Sequence, residues 1–171
     1  DLRNTLVGES MIAIYSLRAG TYYDGYFYAF NDKGQFMRIN SEVPSDYKLL
    51  GDANLDYSKY QVTAMAMDYT TGTMYAVVHG GNVKGALAQV DMTTGEVYLV
   101  GDSGITMATV TVDAEGTVYA ISQDGGLYTM DKITGEATFI GETGAIADIF
   151  QSMHYDHNTG NIYWAQADSN Y

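Results

Sequence analysis

The stretch from Ala108 to Glu142 reads ATVTVDAEGTVYAISQDGGLYTMDKITGEATFIGE. It repeats the stretch from Ala64 to Asp102, which reads AMAMDYTTGTMYAVVHGGNVKGALAQVDMTTGEVYLVGD. Each copy contains four short apolar runs separated by glycine-containing turns, which is the pattern of successive β-strands. Tyr75, Tyr119 and Tyr163 mark one position of the pattern, each 44 residues after the one before. The chain is therefore built from repeats.

A repeat of about 40 to 50 residues with four short strands is the signature of a β-propeller blade. Tyr26–Asp52 is a degenerate copy, which keeps runs matching the second, third and fourth strands. Ser152–Tyr155 and Ile162–Gln166 match the first two strands of a further copy. Near the start, Asn4–Glu9 copies Ala137–Glu142, the fourth strand of a blade. The repeat thus extends over nearly the whole chain.

The sequence predicts an all-β protein, a β-propeller fragment of about three and a half four-stranded antiparallel blades. We expect residues 1–10 to form the last strand of a preceding blade, residues 11–52, 61–102 and 105–142 to form blades, and residues 151–167 to form the first two strands of a further blade. The first strand of the first blade lies either in Ile12–Leu17 or nearer Ala19–Tyr22, and the sequence leaves both open.

A propeller has to close, because an open sheet edge pairs with other chains. Closure could come from blades beyond the termini, from two copies joined head to tail, or from a four-bladed ring completed by the N-terminal strand. We expect the first, because both ends of the chain fall inside blades. Self-association through open blade edges is the corresponding prediction for the isolated chain.

The composition excludes several classes of partner and site. The formal net charge of −13 over 171 residues repels phosphate backbones and anionic lipid surfaces, so we expect no nucleic acid as partner. No apolar run is long enough to span a bilayer. Cysteine is absent, which excludes disulfides and thiolate metal sites. The chain also lacks an Asp-x-Asp-x-Asp calcium loop, and we expect no metal and no cofactor.

The repeat unit carries a family resemblance. Thr70-Thr71-Gly72 followed by Tyr75-Ala76, and then the run from Gly125 to Glu136, resemble the bacterial propeller repeats of the YVTN and quinoprotein-like type. The Gly80-Gly81 pair is similar to that of kelch repeats. This resemblance implies a bacterial secreted or cell-surface location within a longer protein, and it is unspecific for activity. Trp164 is the only tryptophan, so the resemblance does not extend to quinone binding.

Loops on a rigid scaffold are where binding residues concentrate. In a four-stranded blade, the turns between strands one and two and between strands three and four lie on one face of the propeller. The loops between strands two and three and the connections from one blade to the next lie on the other face. We expect those loops to be the longer ones and to form a ligand-binding face. Its candidate residues are Asn31, Asp32, Tyr57, Tyr60, His79, Asn82, Lys84, Ser122, Gln123 and Asp124. The tyrosines have the flat rings and polar tips that suit sugars or peptides.

Other polar positions favour structural roles. Asp91 and Asp131 precede turns, where an aspartate accepts hydrogen bonds from the turn backbone. The alternation of methionine and alanine over residues 64–67 predicts packing between blades. His154 and His157 could bind a metal, but strand alternation separates them, and we expect a surface turn.

Two classes of function remain. The first, which we favour, is a non-catalytic binding or scaffold propeller that recognises carbohydrate, peptide or protein. The second is part of a propeller enzyme, a lyase or hydrolase acting on polysaccharide or on a cyclic ester, with an acid and a base near the central channel. No paired carboxylates stand out on the predicted first strands.

Overall fold

The structure, a computed structural model, describes residues 16–147 and 151–166. These residues form fourteen β-strands and no helix, and therefore no helix that could span a membrane. The strands are β1 (Leu17–Tyr23), β2 (Tyr26–Asn31), β3 (Gln35–Asn40), β4 (Tyr47–Asp52), β5 (Tyr60–Asp68), β6 (Thr73–Gly80), β7 (Val83–Val90), β8 (Val97–Asp102), β9 (Met107–Val112), β10 (Val118–Ser122), β11 (Gly126–Met130), β12 (Ala137–Glu142), β13 (Ser152–Asp156) and β14 (Asn161–Ala165).

The strands form three four-stranded antiparallel sheets, here called blades one to three, and a two-stranded fourth sheet. Within each blade the strands pair in chain order, from β1 to β4, β5 to β8 and β9 to β12, and β13 pairs with β14. The predicted fold class is confirmed. The first strand of blade one is Leu17–Tyr23, the later of the two alternatives. The predicted strand at Asn4–Glu9 lies outside the described residues.

The blades pack face to face through their first strands. Successive side chains of a strand point to opposite faces. On β5, Met65 and Met67 belong to the apolar cluster shared with blade one, whereas Ala64 and Ala66 belong to the cluster shared with blade three. Met153 of the fourth sheet is buried in a third cluster with side chains of blade three. The predicted role of the methionine and alanine alternation is confirmed.

The turns between strands three and four follow the prediction for their aspartates. The carboxylate of Asp91 accepts hydrogen bonds from the backbone N–H of Thr93 at 2.7 Å and of Thr94 at 3.3 Å. Asp131 repeats the arrangement in the next blade, with two backbone N–H donors at 2.8 Å. Gly95 then takes a φ of +80°, which glycine adopts without steric cost.

The connections between strands two and three are shorter than the sequence suggests. The sequence predicts long loops there, but β6 and β7 continue through most of residues 79–85 and leave only Gly81 and Asn82 between them. The corresponding turns of blades one and three contain residues 32–34 and 123–125. The prediction of long two-to-three loops is wrong, because strand pairing extends almost to the glycines.

Neighbouring blades approach closely at one glycine on the fourth strand of blade one and of blade two. A Cβ atom at Gly51 would overlap the backbone carbonyl of Thr94 in blade two, and one at Gly101 would overlap that of Thr134 in blade three. Both carbonyls belong to Thr-Gly turns between strands three and four. Gly141 has the same position in blade three, yet no atom of residues 16–147 and 151–166 lies within 4 Å of the place its Cβ would take.

This difference predicts that a glycine-to-alanine substitution has a large effect on the free energy of unfolding at Gly101 and a small effect at Gly141. Gly101→Ala should lower the free energy of unfolding by about 1–3 kcal/mol, because the added methyl group forces the backbones of two blades apart. Gly141→Ala should change it by less than about 0.5 kcal/mol. Urea denaturation of the two variants measures both values, and equal losses would contradict the packing described here.

An ion pair between Lys132 and Asp68 joins blades two and three. The carboxylate of Asp68 is fully buried and accepts hydrogen bonds from Lys132 at 2.9 Å, from the Thr71 hydroxyl at 2.9 Å and from the Thr70 backbone N–H at 2.8 Å. Burial alone would raise the pKa of Asp68. The hydrogen bonds outweigh that effect and lower the pKa from 3.8 to about 2.

The lowered pKa makes this contact pH-dependent. A carboxyl group whose pKa is lower in the folded state stabilises the fold above its unfolded pKa and loses that contribution as the pH falls. We expect Asp68→Asn to cost about 2 kcal/mol at pH 7 and progressively less as the pH falls from about 4 to about 2. Urea denaturation at several pH values gives the difference, and a cost independent of pH would count against the ion pair.

Candidate functional site

A cavity of about 690 Å³ lies between the first strands of the four sheets. Each of these strands is the edge strand of its sheet among the described residues, so the cavity runs along strand edges rather than across a sheet face. Its polar lining residues are Arg18, Thr21, Thr63, Thr109, Gln151, Ser152, His154, Asp156, His157 and Asn158. Cavities of this size hold small molecules.

The strand register shows how the polar side chains reach the cavity. Opposite the repeated tyrosine of each second strand, the first strand carries Thr21, Ala66, Thr111 and His154 in turn. This position thus carries a hydroxyl or an imidazole in three of the four sheets and is apolar only at Ala66. Thr21 and His154 line the cavity. The Thr111 hydroxyl instead accepts a hydrogen bond from the backbone N–H of Tyr155 at 3.0 Å, which joins blade three to the fourth sheet.

Aromatic rings lie where the turns between first and second strands converge. The Tyr69 hydroxyl donates to the Tyr22 carbonyl at 3.1 Å, and its ring centroid is 4.8 Å from that of His157. Tyr22 in turn packs edge-on against Phe27, with 5.9 Å between centroids. Partial burial raises the pKa of Tyr69, so its hydroxyl remains a hydrogen-bond donor at neutral pH. These four residues all line the cavity.

The carboxylate at the cavity is already engaged. Asp156 accepts hydrogen bonds from the Asn158 backbone N–H at 2.9 Å and from the Thr159 hydroxyl at 2.8 Å, and these bonds lower its pKa. His154 and His157, predicted to form only a surface turn, both line the cavity. Among residues 16–147 and 151–166, no three His, Cys, Asp or Glu side chains are grouped so that they could hold a metal ion.

None of the ten residues predicted from the loops lines this cavity. In blade one, Asn31 is buried, and its side-chain oxygen accepts hydrogen bonds from the backbone N–H of Lys33 and of Gln35. Asp32 follows it and donates its backbone N–H to the Ser16 carbonyl at 2.9 Å. Asn31 thus closes its turn.

Tyr57 and Tyr60 cover turns of two different blades. Tyr57 lies against Gly34, and burial raises its pKa to about 12, while its hydroxyl accepts the Val62 backbone N–H at 3.2 Å. Tyr60 lies against Gly81. Its hydroxyl donates to Asn82 at 3.2 Å. Both rings are half-buried against turn glycines, so neither is a free platform.

The remaining predicted residues form two separate groups. In blade two, burial lowers the pKa of His79, and the backbone N–H of Lys84 donates to Asp102 at 3.4 Å. In blade three, the buried Ser122 hydroxyl bonds to Asp124 and accepts the Gly126 backbone N–H at 3.0 Å. Gln123 donates its backbone N–H to the Thr106 carbonyl at 2.8 Å. Ligand binding by the ten residues stays a prediction.

Face-to-face sheets of four antiparallel strands, with a cavity along their first strands, define a β-propeller-like protein. Comparison with solved structures gives the same fold. A protein of unknown function from Bacteroides thetaiotaomicron superposes with a TM-score of 0.63 at 12% identity over 89% of this chain. The allergen Mala s 1 of Malassezia sympodialis gives 0.62 at 13% identity over 88%, and XC5397, a gluconolactonase of Xanthomonas campestris, gives 0.60 at 15% identity over 94%.

The chain spans 39% of the Bacteroides protein, 57% of the allergen and 58% of the gluconolactonase. At these identities the likeness shows the fold alone. No known family model matches the sequence, and no curated protein sequence matches it either.

Proposed function

We propose that this propeller binds a small, uncharged, hydroxyl-rich molecule of the carbohydrate class in its central cavity. The observation that carries the proposal is the cavity itself, about 690 Å³ in volume and lined both by hydroxyl, amide and imidazole groups and by aromatic rings. Sugars present hydroxyl groups at their edges and C–H groups on their faces, and such a lining complements both.

The polar part of the lining supports a ligand with many hydroxyl groups. Thr63 and Thr109 are buried on neighbouring first strands, where the Thr63 hydroxyl also donates to the Val77 carbonyl at 3.4 Å. Gln151, the residue before β13, is also buried, and Ser152 and His154 on β13 are exposed. Hydroxyl, amide and imidazole groups both donate and accept hydrogen bonds, as do the hydroxyl groups of a sugar.

The apolar part of the lining is built from rings. Phe27 is 51% exposed and Tyr22 is 42% exposed, although both line a concave surface. Large apolar side chains left open within a cavity are typical of ligand sites, because the ligand completes their burial. Tyr69 adds a further ring, 45% exposed.

The charges favour an uncharged ligand. The net charge of −13 disfavours an anion in general. A cation would need a free carboxylate, but Asp156 is committed to its own turn. Among the described residues, the cavity is lined by one guanidinium, Arg18, and one carboxylate, Asp156, so the formal charges of its lining balance and favour a neutral molecule.

A matched pair of variants tests the site. Phe27→Ala should weaken binding of a cognate sugar about tenfold or more, because it removes one ring of the cavity. Phe139→Ala is the control, since Phe139 is equally exposed at 51% but lies on β12 outside the cavity. Calorimetric titration after a glycan screen gives both affinities. A bound sugar that responds to Tyr60→Ala instead would place the site on the loop face.

Hydrolysis of a cyclic ester in the same cavity is a second candidate function. Two observations favour it: His154 and His157 line the cavity, and one structural neighbour is a gluconolactonase. A histidine can act as a general base towards water at neutral pH.

Acid release from glucono-δ-lactone in a pH-stat separates the two functions. A binding protein leaves the spontaneous rate of ring opening unchanged. A hydrolase accelerates it, and His154→Ala or His157→Ala should then lower the rate by about 10²-fold or more. Acceleration that survives both substitutions would exclude these residues as the base.

A further inference from the structure

We infer that the central cavity holds two linked sugar units, so that its ligand is a neutral disaccharide or a longer oligosaccharide rather than a single sugar. The inference rests on the proposed function and adds to it the length of the ligand and its direction. One sugar unit lies near the beginning of the first strands, and the other lies at their ends.

Corresponding ends of the first strands lie side by side. Tyr69, just after β5, bonds to the carbonyl of Tyr22 near the end of β1. The Thr111 hydroxyl near the end of β9 likewise bonds to the backbone of Tyr155 near the end of β13. The cavity lining can therefore be described in levels, each made of equivalent residues from the first strands.

One level, here called the hydroxyl subsite, consists of small residues. Two positions beyond the repeated tyrosine of each second strand, the partner residues on the first strands are Ala19, Ala64, Thr109 and Ser152. All four line the cavity. Blades one and two contribute methyl groups there, and blade three and the fourth sheet contribute hydroxyl groups. A sugar ring fits such a level, because it has C–H groups on its faces and hydroxyl groups at its edge.

A second level, here called the ring subsite, lies at the ends of the first strands and consists of Tyr22, Phe27, Tyr69 and His157. Contacts between rings hold this subsite in place. The Tyr69 ring centroid is 5.5 Å from that of Tyr23 and 4.8 Å from that of His157. The His157 ring is also 4.9 Å from Tyr155. Rings that are fixed before the ligand arrives lose little conformational freedom on binding, so they form a suitable stacking surface for a sugar.

The separation of the two subsites determines the length of the ligand. Tyr22 follows Ala19 by three positions on β1, and a strand rises about 3.3 Å per residue, so the two levels are about 10 Å apart. Both levels line one cavity of about 690 Å³. A single sugar ring cannot contact both subsites, whereas two rings joined by a glycosidic bond can.

Calorimetric titration of the full chain with matched pairs of sugars tests the inference. The probes are glucose and cellobiose, xylose and xylobiose, and N-acetylglucosamine and diacetylchitobiose. In at least one pair, the disaccharide should bind about tenfold or more tightly than its monosaccharide, because the second unit reaches the ring subsite.

Variants assign each sugar unit to its subsite. Phe27→Ala should remove the gain of the disaccharide and leave the affinity for the monosaccharide unchanged, because hydrogen bonds hold a single unit in the hydroxyl subsite. Thr109→Val keeps the shape of a buried side chain and should weaken both sugars by the same factor, about threefold or more. Ser152→Ala removes an exposed hydroxyl of the same level and should act in the same way. Phe139→Ala is the control and should change neither affinity.

The outcomes separate this inference from the proposed function. Equal affinities for monosaccharide and disaccharide in every pair that binds would overturn the inference and leave the proposed function standing. An equal loss of both affinities in Phe27→Ala would do the same. Absence of binding in all three pairs would count against the proposed function, and the inference would fall with it.

Discussion

The packing of each sheet on the next through the two faces of one first strand is the interaction on which the rest of the structure depends. β5 places Met65 and Met67 against blade one and Ala64 and Ala66 against blade three. One strand can serve two interfaces because its side chains alternate between two faces. Since both faces of β5 are used for packing, this strand turns mainly its backbone edge and its ends towards the centre. The cavity exists because the blades hold these edges apart, so its shape is determined by packing that lies outside it.

The repeat made most of this fold predictable from the sequence. The spacing of Tyr75 and Tyr119 gave the period, and the turn glycines gave the limits of the strands. Two features of the fold could not be predicted from the sequence pattern. The first strand of blade one (Leu17–Tyr23) contains Gly20 and lacks a clear alternation, so pattern alone could not place it. The turns between second and third strands are short because backbone pairing continues through polar residues, and a polar sequence does not distinguish a paired residue from a loop residue.

The candidate site was less predictable, for a physical reason. Polar loop residues are the natural candidates in a sequence, because exposed polar groups on loops often bind ligands. Asn31 and Ser122 are polar for another reason, since each supplies the hydrogen bonds that close a tight turn. The cavity residues come one or two at a time from strands far apart in sequence, and no motif joins them. The sequence signal that points to the cavity residues is a difference between copies of the repeat at one position. The fourth sheet has His154 where blade two has Ala66.

The difference between Ala66 and the polar residues of the other copies also helps to explain why the cavity is polar. Ala66 shows that a small apolar residue fits this position of the repeat, so the fold does not require a hydroxyl or an imidazole there. A buried polar group is costly unless it is hydrogen-bonded. Thr111 meets that condition by bonding to Tyr155, which makes it part of the blade interface. Thr21 and His154 lie instead at the cavity, where a ligand can supply the hydrogen bonds that packing does not require. The polar residues at this position therefore fall into two groups. Thr111 holds two neighbouring sheets together, whereas Thr21 and His154 face the cavity.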